Sequence, residues 1–480
     1  MWKRLQKEFG KWIWISLVLH VLAALLSTGF QNSDEHFQIL EFLHARLGLS
    51  PLSDLSMEFQ GMMRPWLQPL FYEVPVQLLR RLGIENPFVW ATVIRLVSAL
   101  VGWLSVLALG LRVSDWVDNP QARKWTFRIL SCLWLLPVLH ARHSSENLSG
   151  AVFVIGLCLS LEKGIGLIPL FLGGACLGLA LHLRYQVVFM FFGFMAWMLF
   201  SAKERSWSRR QWGTWLSGMV MAGFVGIIAD RVGYGRWTLA IWNYFQFNIV
   251  KGGLEKAGEY PWWDYFRRSW TETWPLLGFV HFISFFVLWL RAPRHVLTWV
   301  TLPFFFFHFY IGHKETRFLF PAMHLAPLVL VLAFAPLWSV QNRWRWVRNS
   351  LVALNALALL PSVVLPIWWP AGFYEEIFLR ARQSEITSLE YTGENPYKPA
   401  GIHFHFYQPA GISVMPFSPG PGPKWIVHET YEIPAFLAAQ GSRGEMKCEI
   451  RFSAYSKWLM EAVPVERVKR LKNWTAIYCR

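Results

Sequence analysis

Two short stretches of this chain carry side chains whose types and spacing can do chemistry. Asn32-Ser-Asp-Glu-His-Phe-Gln38 sets two carboxylates side by side, and a suitably placed carboxylate can take a proton from a hydroxyl as general base. His313-Lys-Glu-Thr-Arg317 packs three potential cations and one acid into five residues. That set suits a phosphate, with the acid orienting one of the cations. Each stretch also has a plainer reading. Asp34 and Glu35 open a run in which Phe37, Leu40, Leu43 and Leu47 recur at helical spacing, so they can equally cap an interfacial helix and favour its N-terminal dipole. The second stretch can be a self-neutralising surface turn.

The elements that must position these groups are membrane spans. Of 480 residues, 54% are hydrophobic, 17% aromatic and only 16% charged, with 29 Trp and 38 Phe. Lipid solvates apolar faces, and Trp gathers at the membrane–water boundary. This composition excludes disordered, collagen-like and small disulfide-stapled proteins. About 20 apolar residues cross the hydrocarbon layer, and about 11 segments qualify: 12–29, 88–111, 125–140, 147–161, 165–183, 185–201, 211–229, 273–290, 295–312, 318–338 and 349–369. With the N-terminus inside, the inner loops hold 17 Lys and Arg in 51 residues, against 14 in 115 on the other side. The positive-inside rule favours that orientation, and basic inner loops account for the net charge of +16 without invoking nucleic acid.

Once the chain is oriented, its ionisable residues gather at the outer boundary. Asp34 and Glu35 follow the first span. Arg142, Glu146, Arg184 and Asp230 stand at later span ends, and His313, Lys314, Glu315 and Arg317 fill one outer turn. Such groups can converge on one site or simply snorkel to headgroups. Snorkelling is the expectation for Arg95 and Arg128. His20, His281, His308 and His324 read as packing residues. In the outer loops 30–87 and 231–272, Trp66, Trp237, Trp242, Trp262, Trp263 and Tyr265 offer rings to sugar, isoprenoid or interface. His403 and His405 alternate in a strand-like run, but no Cys or acid stands at ligand spacing, so no metal is expected there.

The expected fold is therefore all-α and polytopic over residues 1–369. A small extracytoplasmic α/β domain follows over 370–480, with strand-like runs at 402–407, 425–428 and 447–452. Cys448 and Cys479 are the one plausible disulfide pair. Asn147-Leu-Ser149 and Asn473-Trp-Thr475 fit glycosylation acceptors. A transporter or flippase would instead place ionisable groups near the midplane and break helices in paired halves; a non-catalytic assembly subunit is the third class.

Several stretches together resemble glycosyltransferase family 22, the lipid-phosphate-mannose-dependent mannosyltransferases. Asn32–Gln38 is similar to its His-Pro-Asp-Glu-His-(Phe/Trp)-Gln signature, with Asn32-Ser33 in place of His-Pro. His313-Lys-Glu-Thr-Arg-Phe-Leu-Phe-Pro321 resembles its His-Lys-Glu-Glu-Arg-Phe-Leu-(aromatic)-Pro, with Thr316 replacing an acid. Met57-Glu-Phe followed by Met63-Arg-Pro-Trp, and Asp230-Arg-Val-Gly-Tyr-Gly-Arg-Trp-Thr238 followed by Asn243-Tyr-Phe-Gln-Phe-Asn248, fit further segments, and Arg184 stands where the family carries an arginine.

The resemblance implies a GT-C fold, an isoprenoid-phosphate sugar donor, a glycan or glycolipid acceptor, and inverting transfer without cofactor or metal. It implies Asp34 as general base, with Glu35 the alternative. Arg184, His313, Lys314 and Arg317 would meet the donor phosphate, joined by Arg64 and Arg142. His36, Glu146, Asp230, Tyr234, Trp263 and Glu315 would contact substrate. A lipid-borne donor also suits a site facing away from cytoplasmic nucleotide sugars. The flanking features of eukaryotic members are missing, and a glycan on Asn147 would obstruct the site. Both points favour a bacterial inner membrane over the endoplasmic reticulum.

Overall fold

The computed structural model describes residues 2–162, 164, 166–201, 207–253, 258–338, 344–420, 422–429, 447–455 and 474–480. The chain divides into two compact units. The first comprises Met1–Ser27, Glu58–Val76 and Thr92–Leu365, and the second Thr28–Met57, Gln77–Ala91 and Pro366–Arg480.

Among the described residues the segments expected to span are largely helical, with 125–140 broken between Cys132 and Leu135 and 349–369 helical only to Val364. Pro87–Trp116, Arg209–Tyr234 and Arg345–Val364 are each long and apolar enough to cross a membrane alone. Two further pairs, Lys3–Phe9 with Trp12–Leu26 and Thr316–Met323 with Ala326–Ala333, are bent by 90° and 74° at short breaks. Shorter apolar helices include Ser145–Ser160, Leu167–Leu183, Pro275–Arg291 and Val296–Tyr310. Helix Arg209–Tyr234 leaves Val220, Phe224 and Ile228 more than half exposed. These side chains, four residues apart, form a stripe that is favourable only in lipid.

Helices Leu167–Leu183 and Arg209–Tyr234 pack through small residues. A Cβ on Gly174 would collide with the Trp215 carbonyl, one on Gly218 with the Phe171 carbonyl, and one on Gly178 with Ala222. In a bilayer no hydrophobic force pushes helices together, so close backbone approach of this kind supplies the attraction. Gly218→Leu is expected to destabilise the unit by about 1–3 kcal/mol, as overpacking does. Gly213→Leu, on the same helix but facing open space, should leave the thermal midpoint in detergent unchanged. Equal midpoints for the two variants would refute the packing account.

Arg95 does not snorkel. It is buried and donates to the Ala24 carbonyl at 2.8 Å and to Thr92 Oγ1 at 2.8 Å, so it satisfies an orphan carbonyl in the last turn of Trp12–Leu26. Arg128, by contrast, lies over the Trp125 ring at 4.7 Å. Two of the histidines read as packing residues, His20 and His324, form a buried chain with His140 between them. His20 Nε2 is 2.7 Å from His140 Nδ1, and His140 Nε2 is 3.0 Å from His324 Nδ1. Asn147 is no glycan acceptor: its amide is buried and donates to the His140 and Arg142 carbonyls at 3.2 and 2.5 Å. Asn473, of the second acceptor pattern, lies outside the described residues.

In the second unit, helix Pro370–Arg382 precedes a five-stranded mixed sheet of order β2-β1-β3-β5-β4. The strands are β1 (Ser388–Tyr391), β2 (Ser413–Pro416), β3 (Lys424–His428), β4 (Cys448–Ser453) and β5 (Thr475–Cys479). β1 runs parallel to β2 and β3, while β5 runs antiparallel to β3 and β4. Cys448 and Cys479 are register partners on β4 and β5 and form the expected disulfide. The runs at 425–428 and 447–452 are strands, but residues 402–407 are not. They carry no regular structure through 405 and then turn.

The two flanks of the first large loop, through Met57 and from Gln77, join this unit, while Glu58–Val76 belongs to the first. Asn32 accepts from the Asp34 amide at 2.9 Å and so caps helix Ser33–Glu35. A π turn over His36–Leu40 and an α-helix over Glu41–Arg46 follow. Buried Ile39, Leu40, Phe42 and Leu43 form its inner face, which bears out the helical reading of this segment.

Candidate functional site

The acid turn belongs to the second unit. Glu35 is buried and accepts from the Gln31 amide at 3.2 Å, a contact of the capping kind, whereas Asp34 is half-buried. His36 is fully buried, 2.7 Å from Glu41 Oε1, and stacks on Phe404 with ring centroids 3.9 Å apart. The same Glu41 oxygen accepts from the Phe406 amide at 3.0 Å. The turn that presents Asp34 is thus seated on a buried imidazole–carboxylate pair.

In the first unit, local folding rules bring two charged helix ends together. Ser144 caps Ser145–Ser160, accepting from the Asn147 amide at 3.2 Å, which places Glu146 in the first turn where the helix dipole favours an anion. The neighbouring helix Leu167–Leu183 ends at Arg184, whose backbone is already extended. Arg184 meets Glu146 at 2.8 Å, and Arg317 Nη1 lies 3.8 Å from the same carboxylate oxygen. Arg317 also pairs with Glu315 at 2.5 Å, and His313 reaches Glu315 at 2.9 Å. Glu146, Arg184 and Arg317 are all buried. An acid–base–acid alternation of this kind holds guanidinium groups fixed without neutralising every donor.

The loop before this turn braces it. Asp264 binds Arg267 at 2.7 Å and Arg268 at 2.6 Å. Arg268 continues to Glu272 at 2.8 Å, and Glu272 accepts from the Thr316 hydroxyl. Burial alone would raise the Asp264 pKa, but the two arginine hydrogen bonds hold it below the ordinary carboxylate value. Lys314 is buried, donates to the Phe309 carbonyl at 3.1 Å and to that of Ile311, and lies over the Tyr265 ring at 5.7 Å. It therefore caps the end of Val296–Tyr310. Desolvation lowers its pKa, partly opposed by Asp264. Trp263, at the N-cap of Asp264–Thr271, is about half exposed.

A third set surrounds Asp230, also in the first unit. One of its carboxylate oxygens accepts from the Trp66 amide at 2.9 Å and the other is 3.4 Å from His182 Nε2. Tyr234 donates to the Arg64 carbonyl at 2.7 Å, and Arg64 pairs with Glu58 at 3.2 Å. Gly235, at φ +73°, ends this helix in the left-handed conformation, which explains a glycine directly after Tyr234. A cleft of about 240 Å³ opens beside Asp230 and His182, walled by Leu181, Met219, Ile227 and Ile241. Arg142 lies elsewhere, fully buried and donating to Ser27 at 2.6 and 2.8 Å.

The structure therefore gathers Glu146, Arg184, His313, Glu315 and Arg317 into one network, puts Lys314 beside it, and gives Arg64, Asp230 and Tyr234 a separate one. Sequence reasoning missed Glu58, His182, Asp264, Arg268 and Glu272 as partners. His182 had a signal, since it stands two residues before Arg184 at the same helix end. Reasoning from spacing also found no acid for His403 and His405. The fold supplies Asp54, 2.9 Å from His405, from a position some 350 residues earlier that linear spacing cannot reveal.

Residues 11–435 match the model of the Alg9-like mannosyltransferase family. The chain belongs to that family. It is 23% identical over 342 residues to mannosyltransferase APTG1 of Arabidopsis thaliana, covering 66% of this chain and 57% of the plant protein. With GPI alpha-1,2-mannosyltransferase 3 of Bos taurus it shares 24% identity over 393 residues, which is 79% of this chain and 68% of the bovine protein. The match thus spans less than two thirds of the plant relative's length. Among solved structures, ArnT from Cupriavidus metallidurans bound to undecaprenyl phosphate superposes with a TM-score of 0.56 at 10% identity, covering 97% of each chain. The apo form gives 0.52 at 12% identity, again over 97% of each. At such identity the likeness speaks for the fold alone, and it is the GT-C fold expected from the motifs. With its several apolar helices, the family member is an integral membrane protein.

Proposed function

We propose that this protein is a membrane mannosyltransferase that takes mannose from an isoprenoid-phosphate carrier and passes it, with inversion, to a glycan or glycolipid acceptor on the extracytoplasmic face. The observation that carries the reading is the Glu146–Arg184–Arg317–Glu315–His313 network. Charge develops on the leaving phosphate in the transition state, and cations already fixed in a poorly solvated site stabilise it without reorganising. Glu146 and Glu315 hold the guanidinium planes, while Lys314 adds positive charge near the turn. Arg142 and Arg64 are assigned to anchoring, because Arg142 donates to Ser27 and Arg64 pairs with Glu58. Asp34, on the turn seated by His36, takes the acceptor proton. The apolar cleft beside Asp230 offers a wall for part of the isoprenoid chain. The Alg9-like family and relatives named for mannosyl transfer support the sugar.

The protein in lipid nanodiscs, given synthetic polyprenyl-phosphate mannose and candidate glycolipid acceptors, should form an α-mannosidic product at a rate unchanged by omitting Mg²⁺ and Mn²⁺. Transfer of another lipid-linked sugar in preference to mannose, or strict dependence on added Mg²⁺ or Mn²⁺, would overturn the reading.

A further inference from the structure

Within the second unit, three side chains from two remote segments turn nitrogen and oxygen atoms toward one point. Asp54 ends the short 3₁₀ helix Leu52–Asp54. His403 and His405 lie on the irregular stretch that follows the Pro399–Gly401 turn. His405 Nε2 is 2.9 Å and His403 Nδ1 3.7 Å from the same oxygen, Asp54 Oδ2. The two rings are nearly parallel, tilted by 13° with centroids 4.9 Å apart. All three donor atoms lie within 4.8 Å of one another. The other carboxylate oxygen accepts from the Ser53 hydroxyl at 3.1 Å, which fixes the plane of the acid. The side chains are between about a quarter and a third exposed, so an ion can enter from solvent.

A hydrogen bond explains His405 but not His403, whose 3.7 Å separation exceeds hydrogen-bond range. A cation between them engages all three. Two imidazoles and one carboxylate, with water in a fourth position, form the donor set of a tetrahedral Zn²⁺-class ion. Ca²⁺ wants six or more oxygens and Mg²⁺ an octahedron of them, and neither is offered here.

We propose that Asp54, His403 and His405 bind one Zn²⁺-class ion that clasps the first large loop to the 403–406 stretch. The clasp is separate from the transfer reaction, which needs no metal. Its value follows from the alternation of half-buried and buried side chains over residues 403–406. His403 and His405 face Asp54, whereas Phe404 and Phe406 are buried: Phe404 stacks on His36 and the Phe406 amide binds Glu41. Fixing the outward residues fixes the inward ones, and with them the floor under the acid turn.

The full chain in detergent, stripped with chelator and then titrated with ZnCl₂, should recover one zinc per chain by mass spectrometry of the metal and gain thermal stability. Cobalt loading should give the visible absorption of a tetrahedral site. His403→Ala, His405→Ala and Asp54→Asn should each lose that stoichiometric zinc and the stabilisation, while Ser53→Ala weakens binding about 10-fold. Size-exclusion profiles matching the wild type establish that the variants are folded. The proposal is overturned if the stripped wild type takes up no zinc, if the two histidine variants retain it, or if the site binds only Ca²⁺ or Mg²⁺.

Discussion

Asp34→Asn is expected to lower mannosyl transfer by about 10²–10⁴, the usual contribution of a general base, with no change in expression or thermal midpoint. The amide keeps the shape of the side chain, and the cap is made by Asn32 through the residue-34 backbone amide, which the substitution preserves. Glu35→Gln separates the two acids. Glu35 is buried against the Gln31 amide, and an amide oxygen can still accept that bond, so this variant should lose little rate. A steady-state assay at saturating donor and acceptor decides between them. Near-wild-type activity for Asp34→Asn would remove Asp34 from the base role, and a large loss confined to Glu35→Gln would transfer the role to its neighbour.

Arg317→Gln carries the second large effect. Arg317 bridges Glu315 at 2.5 Å and approaches Glu146 at 3.8 Å, and in the proposed reaction its guanidinium meets the departing phosphate beside Arg184. Loss of one prearranged donor to developing charge costs about 10²–10³ in kcat, and donor KM should rise with it while acceptor KM stays close to wild type. Arg317→Lys keeps the charge but not the planar fork and should recover only part of the rate. A stability control is needed, because the substitution removes one of the cations facing two carboxylates. Equal losses in donor and acceptor parameters, accompanied by a lowered thermal midpoint, would mark Arg317 as a structural residue instead.

That the chain is built of apolar helices was legible because bilayer thickness imposes a length and an apolarity on every crossing. Their faces were not. Gly174 and Gly218 look like ordinary small residues until two helices meet at them, and Arg95 reads as a snorkelling side chain until the Ala24 carbonyl appears beside it. The convergence of Glu146, Arg184 and Arg317 was readable in outline, since all three close or open helices at one predicted boundary. The pairings inside it were not, because a salt bridge between residues 171 positions apart leaves no periodic mark. The alternation of 403–406 between half-buried and buried side chains was legible in the stretch 402–407, but a strand also needs a neighbour for its amides. Here the Phe406 amide goes to a glutamate side chain. Conversely β2, Ser-Val-Met-Pro, is largely exposed and lacks the buried alternation that announces a strand.

The second unit is built from residues 28–57, 77–91 and 366–480, and that has a consequence for timing. At the usual pace of about 5–20 residues per second, the ribosome needs roughly 20–75 seconds to travel from Asp34 to Phe406. Throughout that interval the turn bearing the proposed base has neither Phe404 to lie on nor an amide for Glu41. The nascent chain therefore waits with its first loop unfinished, and competence arrives only when the last quarter of the polypeptide has been made and has packed against it.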